Sequence, residues 1–250
     1  MKQKIFFFNF FLFFLLIGST ISTVNAVEYR MGVHKDQELI WKCNVCNKLN
    51  MDIIFGSDWD DSGIFNNLSQ GKRMKWKINS VKFNETNINI NFSIWEWTSE
   101  NMWGVKDNDS ELDYFVNPSD YSQKLNFSQY SSFVPFLFPV PIGEYVGGLT
   151  LIEWYDVDNR VLPTLNVEIS KDEILPGFPS EDIQIIAIYN DQGLLNSYKL
   201  YIGSNVVIVD ISLDFLPFYV IPTLIGLTVI ISLSIIFYIV KKRKTRYILK

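Results

Sequence analysis

Apolar and polar residues alternate along much of the stretch between residues 38 and 213, and a period of two is the signature of a half-buried strand. Leu39, Trp41, Cys43 and Val45 stand out from more polar neighbours and predict a first strand. The clearest hairpin is Met74–Phe83 with Asn87–Trp97. In its second strand Ile88, Ile90, Phe92 and Ile94 face one side, Asn87, Asn89, Asn91 and Ser93 the other, and Asn84-Glu85-Thr86 supplies the turn. Thr164–Ser170 reads as another strand. Ile183–Tyr189, Leu194–Ile202 and Val206–Leu213, separated by turn-formers, read as a meander. Gly143–Tyr155 predicts a short helix with Tyr145, Leu149, Ile152 and Trp154 on one side, and Ser99–Ser122 a long acidic loop. Phe133–Ile142 (FVPFLFPVPI) is apolar but holds three prolines, so it predicts an extended segment laid over the open end of a sheet, not an interior strand. The fold class expected is mainly β, an antiparallel sheet or sandwich.

Two apolar runs break the alternation. Lys2 and Lys4 precede a Phe- and Leu-rich run, Ile5–Ile17, and Val24-Asn25-Ala26 fits a small-residue cleavage site; residues 1–26 read as a signal peptide. Phe215–Val240 carries no charge and exceeds the roughly 20 residues that span a bilayer core. Lys241-Lys-Arg-Lys-Thr-Arg246 follows, as at a cytoplasmic flank. The predicted organisation is a signal peptide (1–26), an extracellular β-rich domain (27–214), a single transmembrane helix (215–240) and a basic cytoplasmic tail (241–250), at the plasma membrane. Charge follows the same division. All 27 acidic residues lie between Glu28 and Asp214, against 14 Lys and Arg there, a net −13. An acidic exterior excludes nucleic acid as a partner, because phosphate binding needs a basic surface.

Tyr29-Arg-Met-Gly-Val-His-Lys-Asp-Gln-Glu-Leu-Ile-Trp41, just after the export signal, and Tyr189–Tyr201 (YNDQGLLNSYKLY) resemble segments of uncharacterised archaeal surface proteins. Those share a "GV…GD…W" opening, a β-rich exterior and one C-terminal span. Here Lys35 stands where the second glycine of that opening would be. The resemblance implies topology and no functional residues.

Candidate chemistry is sparse. Asn67, Asn84, Asn91, Asn108 and Asn126 begin glycosylation triplets, which require solvent-facing side chains. Cys43-Asn-Val-Cys46 reads as a local disulfide or two thiols, or a redox pair; with only two cysteines and one histidine, His34, a four-ligand zinc site is excluded. Asp58, Asp60 and Ser62 with Gly63 match the first half of a calcium loop, but Ser69 stands where the bidentate Glu belongs, leaving a weak Ca2+ turn or a solvated acidic one. Asp107, Asp109, Glu111 and Asp113 pose the same choice. If period two continues from Ile88, Trp95 and Trp97 both land on the polar face, as a sugar-stacking or protein-contact patch unless a loop covers them. Glu96 and Glu100 are carboxylates beside them. No G-x-S-x-G, H-E-x-x-H, Walker or G-x-G-x-x-G motif occurs. The pattern predicts a non-catalytic surface module for a protein or glycan partner; an apolar-ligand or lipid holder and an extracellular hydrolase are the alternatives.

Overall fold

A computed structural model describes residues 27–100, 102–171, 181–203, 205–214 and 225–235. Nine strands make one antiparallel open sheet: β1 Glu38–Cys46, β2 Arg73–Phe83, β3 Asn87–Thr98, β4 Asn108–Phe115, β5 Tyr155–Asp158, β6 Thr164–Ile169, β7 Ile183–Tyr189, β8 Leu195–Ile202 and β9 Val206–Leu213. Their spatial order is β4-β3-β2-β1-β9-β8-β7-β6-β5. The chain therefore meanders from the centre to one edge, crosses over, and meanders back from the other edge until β9 closes against β1. Both edges resist further pairing: β4 is studded with Asp109, Glu111 and Asp113, and β5 has only four residues.

One face of the sheet is covered. Trp41, Trp76, Ile78, Ile88, Ile90, Phe92, Tyr189, Tyr198 and Ile211 bury their side chains there. The cover is the crossover, whose proline-rich part, Phe133–Ile142, is extended and almost wholly buried. As expected, it adds no strand to the ladder, but it crosses a face of the sheet and does not cap an open end, because its Phe136 ring packs on Trp41 and Trp76. Its polar groups are met from the sheet instead. Tyr155 Oη donates to the Phe133 carbonyl (3.0 Å), Tyr189 Oη to the Pro135 carbonyl (2.8 Å) and Tyr114 Oη to the Leu137 carbonyl. The intervening residues bond backbone: Leu195 N–H to Phe136 O (2.9 Å), Phe138 N–H to Gly193 O (2.8 Å) and Val140 N–H to Arg30 O (2.7 Å). A buried strap without such partners would leave desolvated carbonyls at roughly 1–3 kcal/mol each.

The strap explains two glycines. Gly193 holds φ +76° in the β7–β8 turn, and a Cβ there would strike the Phe138 carbonyl. Gly32 lies against the backbone of Gln192, where a Cβ would also collide. The N-terminal segment and the β7–β8 turn, far apart in sequence, are thus pressed together around the end of the strap.

Several expectations change. The predicted long loop Ser99–Ser122 contains β4: Leu112 and Tyr114 turn to the covered side while Asp109, Glu111 and Asp113 pair across from Ser93, Asn91 and Asn89. The helix expected over Gly143–Tyr155 spans only Ile142–Gly147 (α2), ending at Gly147-Gly148, and Tyr155 opens β5. Lys48–Phe55 forms an unforeseen helix, α1, started by Asn47, whose side chain accepts from Asn50 N–H. Met51 and Ile54 of α1 are buried while Leu49 and Ile53 are exposed.

Residues 225–235 are helical, with side chains exposed. Their three hydroxyls bond to the helix itself: Thr228 Oγ1 to Ile225 O (2.7 Å), Ser232 Oγ to Thr228 O (2.8 Å) and Ser234 Oγ to Ile230 O (2.8 Å). Among the described residues no helix is long and apolar enough to cross a membrane. The remainder of the predicted span, the predicted signal peptide and the basic tail lie outside the described residues.

Candidate functional site

Strand direction divides the sheet into two ends. β9 runs from Val206 to Leu213 and leads on to Asp214, whose N–H bonds Ile40 O (2.7 Å). At that near end lie the β2–β3 turn (84–86), the β5–β6 loop (159–163) and the β7–β8 turn (190–193). The far end holds α1, the segment 56–72 and the β3–β4 loop (99–107).

A cleft of about 500 Å³ opens at the far end, lined by Phe55, Trp59, Phe65 and Phe133 with Ser57, Asp58, Ser62 and Ser131. Its walls come from three places. Phe55 ends α1, Trp59 precedes the turn Gly63–Phe65 that Phe65 ends, and Phe133 begins the strap. Trp59 is fixed by its indole N–H to Asp52 Oδ1 (2.7 Å) and by Lys48 Nζ 5.1 Å above its ring. Phe55 and Phe133 lie 6.1 Å apart, centroid to centroid. Phe133 holds φ 58°, a left-handed conformation that a bulky side chain rarely adopts. Its N–H bonds Tyr130 O (2.8 Å), Tyr155 Oη holds its carbonyl, and Ser132 Oγ donates to Val134 O (2.7 Å). Such backbone strain persists only where surroundings over-determine it, and it gathers at binding sites. Aromatic walls with a hydroxyl and carboxylate rim suit a ligand that has apolar faces and polar edges, such as a sugar or an amphipathic peptide side chain.

The calcium-like turn forms the cleft's polar lip without gathering its oxygens. Asp60 Oδ2 accepts from Lys48 Nζ (3.0 Å), whose pKa is thereby raised, and Asp58 Oδ1 accepts from Ser57 Oγ (2.7 Å). Ser62 precedes the Gly63–Phe65 turn. The second acidic stretch is spread along β4. Asp109 accepts from Lys106 and from Ser93 Oγ (2.7 Å), which hold its carboxyl below the usual range, and Glu111 and Asp113 accept from Asn89. Among the described residues no three His, Cys, Asp or Glu side chains converge to hold a metal.

The two tryptophans part company. β3 pairs Trp95 with Lys75 but Thr98 with Arg73, so a bulge adds one residue between them. Trp97 is rotated into the core, 3% exposed, its indole N–H on Ile64 O (2.7 Å). Trp95 keeps the open face, but the ammonium of Lys75, itself 6% exposed and 3.3 Å from Glu38 Oε1, stands 3.9 Å from its ring centroid. Trp103 adds a second ring 5.3 Å from the same ammonium. The expected exposed pair is therefore replaced by a core residue and a cation–π stack. Glu96 is tied to Asn66 Nδ2 (2.6 Å), and Glu100 is exposed.

Asn67, Asn84 and Asn108 are exposed, while Asn91 and Asn126 are half-buried. Asn91 Nδ2 donates to Asn89 Oδ1 (2.7 Å), which occupies the nitrogen a glycan would need. Cys43 and Cys46 are free thiols in this structure, not a disulfide. Sequence reading missed the cleft because Phe133 and Ser131 reach Trp59 only through the crossover; the proline-rich strap was the available signal. No protein-family model matches the chain, and no curated protein or solved structure is significantly similar to it.

Proposed function

We propose that the protein is a single-pass cell-surface module, held by an apolar helix through the membrane, that binds a protein or glycan at the far end of its sheet. The observation that carries this reading is the placement of the aromatic cleft. It opens at the end opposite to the one from which the chain continues toward residues 225–235. Exposed apolar side chains accompany it there: Leu49 and Ile53 on α1, and Met102 and Val105 in the β3–β4 loop. Side chains of this kind, rimmed by polar groups, are what contact surfaces are made of.

The charge-free run from Phe215 to Val240 and the basic residues after it support the tether, and the hydroxyls of residues 225–235, each bonded to its own helix, suit surroundings that offer no water. An apolar-ligand holder is favoured less. It needs space under the strap, and among the described residues the gap there between Ile142, Val146, Val157, Leu165 and Tyr189 is too small for a water molecule.

A photo-crosslinking amino acid at Leu49 or at Val161, each introduced into the full chain on intact cells, tests the reading. Adducts, whether protein or periodate-sensitive glycan, are expected from Leu49 and not from Val161. Adducts from Val161 alone, or from neither, contradict it.

A further inference from the structure

In a regular strand, residues three apart point to opposite faces, so Cys43 and Cys46 should be on opposite sides of the sheet. They are not. β1 pairs with β9 as Cys43 with Ile211, Val45 with Asp210 and Cys46 with Val209, so one extra residue is accommodated at Asn44. The bulge restores Cys46 to the covered face, where Cys43 lies. It is pinned from the other face, since Asn44 Nδ2 donates to Ser212 Oγ (2.9 Å) and Asp210 Oδ1 (3.3 Å).

The two thiols lie together there, each shifting the other's ionisation. Their surroundings differ. Cys43 is fully buried, with Sγ 3.2 Å from the Val45 carbonyl oxygen. Cys46 is half-buried beside Leu68 O (3.9 Å), at the residue before the Asn47 cap of α1. We propose that Cys43 and Cys46 are a dithiol redox pair, which the Asn44 bulge brings to one face and which closes to an intramolecular disulfide by exchange with a low-molecular-weight disulfide.

The asymmetry assigns the roles. Its neighbour Cys43 holds Cys46 below the ordinary thiol range, helped by Lys48, whereas the nearness of Cys46 and burial push Cys43 up. Thiol–disulfide exchange is carried by the thiolate, and it needs access. Cys46 is therefore the attacking sulfur. Its thiolate displaces one thiolate from R–S–S–R and forms a mixed disulfide. Cys43 then loses its proton, attacks the Cys46 sulfur and expels the second thiolate. Two protein thiols lose two electrons, one external disulfide gains them, and the two protons end on two R–SH. The chemistry is independent of how the chain is tethered.

The test uses the full chain in detergent micelles, reduced with a phosphine, freed of it, and exposed to oxidised glutathione. Intact mass and thiol alkylation are followed with time. Wild type is expected to lose both alkylatable thiols without retaining glutathione. Cys43→Ser is expected to retain one glutathione, on Cys46, and Cys46→Ser to react at least tenfold more slowly than Cys43→Ser. Two glutathiones retained by the wild type, both thiols still free, or Cys46→Ser reacting as fast as Cys43→Ser would overturn the proposal. The wild-type outcome decides the matter even if a serine variant misfolds.

Discussion

The two faces of the sheet are built on different principles. The covered face is held by shape: rings from seven strands and the strap interlock, among them Trp41 with Trp76 (centroids 5.0 Å apart), Trp41 with Phe136 (5.1 Å) and Phe138 with Tyr189 (5.2 Å). The open face is held by side-chain hydrogen bonds among Asn79, Asn89, Asn91, Ser93, Asp109, Glu111 and Asp113. Water competes for the second kind of contact and not for the first. Stability is therefore concentrated on one side, and the other is free to vary.

The widest gap between the faces should appear on truncating a buried ring. Phe138→Ala removes a fully buried side chain from the strap and is expected to cost about 3–5 kcal/mol, read as a lower denaturation midpoint of the detergent-solubilised chain. A cost below about 1 kcal/mol would mean that the strap is not seated on the sheet.

Two buried tyrosines sharpen the comparison within the covered face. Tyr189 Oη donates to Pro135 O, so Tyr189→Phe leaves that carbonyl without a donor and should cost about 1–3 kcal/mol. Tyr198 Oη is buried with no partner among the described residues. Tyr198→Phe removes a polar atom that gains nothing there, and is expected to be neutral or stabilising by the same measurement. Burial pushes both phenols well above their ordinary range, so neither ionises as pH rises toward 10.

On the open face Asn89→Ala, which removes the donor shared by Glu111 and Asp113, should change stability by no more than about 0.5–1 kcal/mol. The smallest effect is expected at edge strand β5. Arg160 beside Asp158 holds its carboxyl down to about 2. A pKa lowered in the folded state means that the pairing is fully present above the ordinary carboxylate value of about 4 and is lost as pH falls toward about 2. Asp158→Asn should remove a slight acid-side dependence confined to that window; NMR titration of the Asp158 carboxyl near 4 would contradict the pairing.

The covered face was legible in the sequence. Period two along Asn87–Trp97 places Ile88, Ile90 and Phe92 where they are buried, with Ile94 half-buried beside them, and the final meander forms the three strands expected. Three prolines in an apolar run identified the strap. What escaped was set by partners, not by local pattern. Most of β4 looks like a loop because Asp109, Glu111 and Asp113 are polar, and only Asn89, Asn91 and Ser93 opposite make it a strand. The bulges at Asn44 and after Trp95 carry no local signature, yet they decide the faces of Val45, Cys46 and Trp97. The aromatic walls of the cleft could be noted individually, but their meeting depends on the crossover returning to α1.

The proposed tether places the β-rich domain outside the cell. The direct measurement is protease treatment of intact cells carrying a short epitope after Lys250. The account predicts that residues 27–214 are degraded from outside while the epitope survives on a fragment still joined to residues 225–235. Loss of the epitope with the β-rich domain left whole would contradict it.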